Sequence, residues 1–218
     1  MEISPAGLEQ AVSVAVSPSI PVIPGQFFRA FVPSSTQVIP IPVYPYSSDS
    51  QGMLLCGRIP EYWHPKTPLL LQGPFGNGFS QSLKSRRLIL HASDATLEPR
   101  LYFLALYALQ RNSDVVWVSD DHSIALPPQV EVLKVTELPA ALDWCDGCAL
   151  TVGYSQATEF PRTIPVKPAD RPKVEVLIDA PLVCGDARCG VCSIETRRGW
   201  KLACKDGPVF QQEELQIG

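Results

Sequence analysis

Apolar positions follow two different rhythms along the chain. In the first third, short apolar runs of strand length (Phe27–Val32, Gln37–Val43, Met53–Ile59 and Leu69–Leu71) are separated by Pro, Gly and Ser. That punctuation is typical of turns between strands. Pro18, Pro21, Pro24, Pro33, Pro40, Pro42 and Pro45 also keep helices out of this region. The pattern predicts an N-terminal antiparallel β-barrel over residues 1–84. From residue 85 the rhythm changes. Arg87–Ala92 (RLILHA) is an unbroken apolar run, and a Leu-, Ala- and Tyr-rich stretch predicts a helix over Leu97–Arg111. Further strands are predicted at Asp114–Ser119, Val130–Val135 and Cys148–Gly153. Strand, helix and strand in succession imply a βαβ unit in a parallel sheet, so residues 85–156 read as an α/β domain. Residues 157–175 are polar and carry Pro161, Pro165, Pro168 and Pro172, which suits a linker. Residues 176–218 form a small third domain. The fold class is β plus α/β.

Composition narrows the function. The 218 residues are 45% hydrophobic and 18% charged, so the chain can bury a core. The net charge is -4 and no basic run occurs, which argues against a nucleic-acid surface or a polybasic membrane patch. No apolar stretch reaches the roughly 18 residues of a spanning helix, so no membrane insertion is expected. Glu2 and Glu9 stand where a secretory signal would carry basic residues, which points to the cytoplasm. In that compartment seven cysteines mean metal ligation more readily than disulfides.

Four of them carry the strongest signal. The spacing Cys184-x4-Cys189-x2-Cys192-x11-Cys204 is that of a plant-type 2Fe–2S site. Two irons need four converging thiolates, three from one loop and the fourth from a neighbouring element. Gly185, Ala187 and Gly190 lie among the ligands, where small residues let backbone N–H groups approach the sulfurs. A zinc site built from Cys145-x2-Cys148 and Cys189-x2-Cys192 is the competing reading, but it leaves Cys184 and Cys204 unexplained. Cys56 reads as a buried small hydrophobe. Cys145 and Cys148 are open to a second reading, as a redox pair.

These residues also carry a resemblance. Cys184–Cys192 (CGDARCGVC), followed by Cys204-Lys-Asp-Gly-Pro-Val-Phe210, resembles the cluster domain of the electron-transfer subunit of dihydroorotate dehydrogenase. Gly73–Phe79 (GPFGNGF) and Pro24-Gly25-Gln26-Phe27 resemble that family's flavin-domain motifs. The resemblance implies a ferredoxin-reductase-like flavin barrel, a Rossmann-like nucleotide-binding domain and a 2Fe–2S domain. It also implies FAD, whose candidate contacts here are Tyr46, Ser47, Gly76 and Asn77. The family motif has an Arg for the flavin phosphate where this chain has Tyr44, and no Arg or Lys lies between Arg29 and Arg58. In the α/β domain the family has a glycine-rich turn for the nicotinamide dinucleotide. Here the turn His91–Glu98 has no glycine and sets Asp94 and Glu98 where a phosphate would lie. Those carboxylates suit helix capping and argue against NAD(P).

No catalytic constellation is visible. His91 reads as structural, His64 lies in a turn, and His122 follows two aspartates. The expected function is an iron–sulfur electron-transfer subunit, not a stand-alone enzyme. Its partner would be a flavin-bearing catalytic oxidoreductase subunit in a hetero-oligomer. Asp186 and Arg188 flank the ligands as candidate rim residues. Two other readings are an FAD-containing, NADH-dependent reductase subunit and a structural or redox-sensing subunit.

Overall fold

The structure is a computed structural model that describes residues 3–4, 10–14, 21–33, 39–49, 52–64, 67–157, 159 and 173–215. Gln37 and Val38 of the second predicted strand, and most of the predicted linker, lie outside these described residues.

Six strands form the first sheet: β1 (Ile3–Ser4), β2 (Gln10–Val14), β3 (Phe27–Phe31), β4 (Ile41–Ser48), β5 (Met53–Gly57) and β6 (Leu70–Phe75). Their order is β1-β2-β5-β4-β3-β6, and every neighbouring pair is antiparallel. The expected barrel is not closed, because β1 and β6 end the sheet among the described residues. With only two residues, β1 offers too few backbone bonds to bridge to β6. β4 runs further than the sequence pattern suggested. Its register against β5 shifts between Pro45 and Ser47, an irregularity of the kind that tolerates a proline.

Period-two alternation gives this sheet two buried faces. Phe28, Ala30, Val43 and Leu55 pack with Met53, Ile59 and Trp63 on one side. Phe27, Tyr44 and Cys56 turn the other way and join the main core.

The second sheet contains β7 (Arg87–Ala92), β8 (Asp114–Val118), β9 (Glu131–Leu133), β10 (Gly147–Gly153) and β11 (Lys173–Asp179). These five are parallel. A hairpin of β12 (Ser193–Thr196) and β13 (Gly199–Leu202) follows, and then β14 (Val209–Gln211) returns antiparallel to β11. The sheet order is β14-β11-β10-β7-β8-β9. β11 begins within the segment expected to be linker, and both it and β14 belong to the α/β sheet.

Helix α1 (Pro99–Gln110) fills the predicted helical stretch, starting at a proline whose missing N–H costs nothing there. Three short helices were not predicted: α2 (Leu138–Trp144), α3 (Ala203–Asp206) and α4 (Gln212–Leu215). Leu101, Leu104, Ala105 and Ala108 bury one face of α1. The helix packs on β7, β8 and β10 of the second sheet and also on β4 of the first. It therefore fills the seam between the two sheets. Asp94 caps the turn before it, accepting from the Thr96 backbone N–H at 2.8 Å. Glu98 does not cap the helix. It is buried and accepts from Trp117 Nε1 at 3.2 Å and the Ser123 N–H at 2.7 Å.

Candidate metal centre

The loop between β11 and β12 is shaped by its backbone. Gly185, Ala187 and Gly190 all take left-handed conformations, with φ of 73°, 67° and 71°. Such turns gather N–H groups on one side. The N–H groups of Cys189, Asp186 and Arg188 converge on the Cys184 sulfur. Burial pushes the Cys184 thiol up, but these donors and the Cys189 thiol together outweigh it and bring the group down to about 7. Cys204 shifts in the opposite direction. Burial, then its hydrogen bond to Cys192, push it up to about 12, although the Ala187 N–H opposes them. The Cys204 N–H reaches Cys192 Sγ at 3.4 Å, and the Ala203 N–H reaches the Cys192 carbonyl at 3.0 Å. Cys192 and Cys204 are buried, Cys184 is half-buried and Cys189 is exposed.

The four thiols thus fall into two pairs, Cys184 with Cys189 and Cys192 with Cys204, and Cys204 also feels the charge of Cys184. No three His, Cys, Asp or Glu side chains among the described residues converge on one point, as a single metal ion would require. Two pairs of thiols are the donor set that two irons require. The zinc alternative is not assembled. Cys145 and Cys148 lie in the second sheet's core, where burial pushes the Cys145 thiol up to about 12 and raises the Cys148 thiol as well. Thiols held protonated in this way do not suit a redox pair. Cys56 is buried, and His91 is buried with Nδ1 2.8 Å from the Val118 carbonyl oxygen.

The loop is held from three directions. A Cβ on Gly185 would lie 2.9 Å from Arg29 Cδ and 3.2 Å from the Phe75 ring, so the loop rests on β3 and β6. Arg29 Nε is buried without a hydrogen-bond partner, a spare donor on a residue packed against the loop. From the end of β10, the Tyr154 hydroxyl donates to the Ser193 carbonyl at 2.8 Å, and Ser193 Oγ donates to the Gly190 carbonyl at 2.6 Å. From the far side, the Ala203 N–H donates to the Cys192 carbonyl at 3.0 Å. Asp186 and Arg188 pair at 2.9 Å on the surface, worth about 1 kcal/mol or less.

Residues 180–216 match the family described as the iron–sulfur cluster binding domain of dihydroorotate dehydrogenase B. The probable electron transfer subunit of dihydroorotate dehydrogenase B (NAD(+)) from Pyrococcus furiosus is 25% identical, across 92% of this chain and 84% of its own. The corresponding subunit from Clostridium acetobutylicum is also 25% identical, across 89% and 86%. The chain is thus similar to dihydroorotate dehydrogenase B electron-transfer subunits over most of its length, and residues 180–216 match their cluster-binding domain. Sulfhydrogenase 1 subunit gamma of P. furiosus is 24% identical, across 86% of this chain and 78% of its own. A chain from the structure of NADH-dependent reduced ferredoxin–NADP oxidoreductase superposes on 98% of this chain and 86% of its own, with a TM-score of 0.74 at 18% identity. That likeness establishes a ferredoxin-reductase-like fold.

The fold makes FAD plausible, and the residues expected to contact it have the following surroundings. Gly76 and Asn77 clamp the C-terminal segment. A Cβ on Gly76 would lie 2.5 Å from the Gly207 carbonyl oxygen, and Asn77 Nδ2 donates to the Asp206 carbonyl at 2.9 Å. Gln26 braces the clamp through Nε2 to the Gly76 carbonyl at 3.0 Å. Tyr46 and Ser47 lie on β4, and the Tyr46 ring stacks on Tyr102 of α1. Tyr44, at the family's arginine position, is buried beneath the Arg100 guanidinium, 5.2 Å above its ring. Arg100 is in turn held by Asp179 Oδ1, at 3.2 Å from Nε and 3.0 Å from Nη2.

Two features escaped sequence reasoning. Glu175 is a buried carboxylate at the root of the clamp. A cavity of about 590 Å³ opens at the carboxyl ends of β10 and β11, lined among others by Arg58, Arg100, Tyr154 and Asp179. Parallel-sheet topology alone could have located this cavity, since ligands favour that end.

Proposed function

We propose that this chain is the iron–sulfur electron-transfer subunit of a multi-subunit oxidoreductase, with a 2Fe–2S cluster on Cys184, Cys189, Cys192 and Cys204. The observation that carries the ligand assignment is the pairing of these thiols around left-handed turns whose N–H groups face the sulfur of Cys184. A bound cluster supplies one-electron chemistry. The chain's own residues bring the thiols together, donate N–H groups to them, and bury Cys192 and Cys204 away from water. Cys189 and the adjoining Val191 stay exposed, leaving one edge of the site open to a redox partner.

That partner is a flavin-bearing catalytic subunit, as in dihydroorotate dehydrogenase, and the assembly is a hetero-oligomer. The relatives named as electron-transfer or gamma subunits support this reading. No helix among the described residues is long and apolar enough to cross a membrane. All seven cysteines are free, which supports a reducing, cytoplasmic setting.

The test is to substitute Cys184→Ala and Cys204→Ala separately, purify each variant without oxygen, and assay iron and acid-labile sulfide. Each substitution is expected to abolish the cluster. Full iron and sulfide in either variant would refute the ligand assignment.

A further inference from the structure

The strongest disagreement between this chain and its resemblance lies in the seam between the sheets. We infer that Tyr102 takes the place of a flavin ring against Tyr46, so that this subunit carries no flavin and can be reduced only by a one-electron donor. The inference rests on the proposed cluster and deepens it by naming the class of donor.

The stack is the first part of the argument. The Tyr46 and Tyr102 rings lie 4.2 Å apart and within 9° of parallel. Each face of an inserted ring needs about 3.5 Å of clearance, so a flavin between them would require roughly 7 Å. Burial, and then the neighbouring Tyr102 hydroxyl, raise the half-buried Tyr46 phenol above its ordinary range.

The helix cannot easily retreat to make that room. Its opposite face buries Leu101, Leu104, Ala105 and Ala108 in the main core. At its start, Arg100 is buried and bound to Asp179, and Arg100 Nη1 donates to the Thr96 carbonyl at 3.2 Å. Opening the stack by a retreat of the helix would mean moving α1 off the second sheet.

The family's phosphate-binding cation is missing from its expected position as well. Tyr44 cannot supply the family's positive charge, and the cation above it, Arg100, is committed to Asp179. Arg58 is exposed and faces the same carboxylate at 3.7 Å. Gly76 and Asn77 are engaged with residues 206–208.

The consequence concerns electron counting. Oxidation of NADH to NAD⁺ releases a hydride, which is two electrons and a proton together. A 2Fe–2S cluster takes one electron, and flavin is the cofactor that exchanges both ways. Without it, this chain cannot split the pair. Electrons must arrive singly, from an iron–sulfur or flavin centre of another subunit.

The test uses the full chain purified without oxygen, with three readings on one sample. Iron and acid-labile sulfide report the cluster, and so the proposed function, independently of flavin. Flavin released by acid, and quenching of added FAD fluorescence, report the seam. Visible absorbance during addition of NADH, then of dithionite, reports the donor class. The expected result is a full cluster, no released flavin, no saturable quenching, and bleaching by dithionite but not by NADH. FAD at about one per chain, saturable FAD binding, or bleaching by NADH alone would each overturn the inference while leaving the cluster assignment standing.

Discussion

Replacing Glu175 with Gln should unlock the clamp that joins the two sheets. The carboxylate is almost fully buried, yet it accepts from the backbone N–H groups of Ser80, Gln81 and Ser82 at 2.9, 3.1 and 2.8 Å. Ser80 Oγ at 2.9 Å and Gln211 Nε2 at 3.1 Å complete its shell. Burial raises its pKa, but the N–H groups of Ser82, Ser80 and Gln81 outweigh this and hold it below the ordinary glutamate range. The Gln side chain keeps the shape and one oxygen, and turns an NH₂ group toward N–H donors. Hydrogen bonds to a charged group contribute about 1.5–3 kcal/mol each, so losing two should cost about 3–6 kcal/mol. Urea unfolding of the full chain, followed by circular dichroism, measures this. With a slope of about 3 kcal/mol/M, the midpoint should fall by about 1 M or more. The effect also has a sign with pH. A folded-state pKa held below the unfolded value contributes stability that is complete above the unfolded pKa of about 4.3 and is lost as pH falls through the folded value. The gap between wild type and Glu175→Gln should therefore narrow in acid. A midpoint shift corresponding to less than about 0.5 kcal/mol, or a gap that widens in acid, would refute the reasoning.

Two further outcomes follow from the cluster loop. In the metal-free chain the Cys184 thiolate forms as pH rises through about 7, while Cys204 stays protonated until about 12. Iodoacetamide labelling at Cys184, read by mass spectrometry, should accelerate across neutral pH and leave Cys204 nearly unlabelled; equal rates would contradict the local geometry. Arg29 places a cation and an unpaired buried Nε against the loop. Arg29→Gln should lower the cluster's reduction potential in a potentiometric titration, Arg29→Lys should largely restore it, and an unchanged potential in Arg29→Gln would show that the cation does not reach the site.

The parts of this molecule that were legible in sequence are those fixed by local chemistry. The cysteine spacing and the small residues at 185, 187 and 190 announced a loop wrapped on sulfur, and the structure gives all three residues positive φ. Arg87–Ala92, apolar throughout, was legible as a strand and forms β7 with the expected bounds. What stayed hidden depends on distant partners. The first three residues of β11 were read as the end of a polar, proline-rich linker, and only the N–H groups of residues 80–82 make the Glu175 carboxylate tolerable in a core. Asp94 and Glu98 look alike in sequence, but one caps a turn and the other is drawn inward by Trp117 and Ser123. No periodicity could reveal that Tyr46 meets a tyrosine from the helix that packs on the other sheet.

The return of β14 alongside β11 has a mechanical meaning. Residues 180–208 leave the second sheet and come back to it, so the thiol-bearing segment is a bight with both ends moored in one rigid frame. Bringing the ends of such a segment together costs roughly 3 kcal/mol of chain entropy, and pairing within the sheet has already met that cost. Arriving iron therefore need not gather the protein around itself. Stripping the metal should slacken the bight without casting it adrift, a built-in tolerance to repeated loss and repair of the centre.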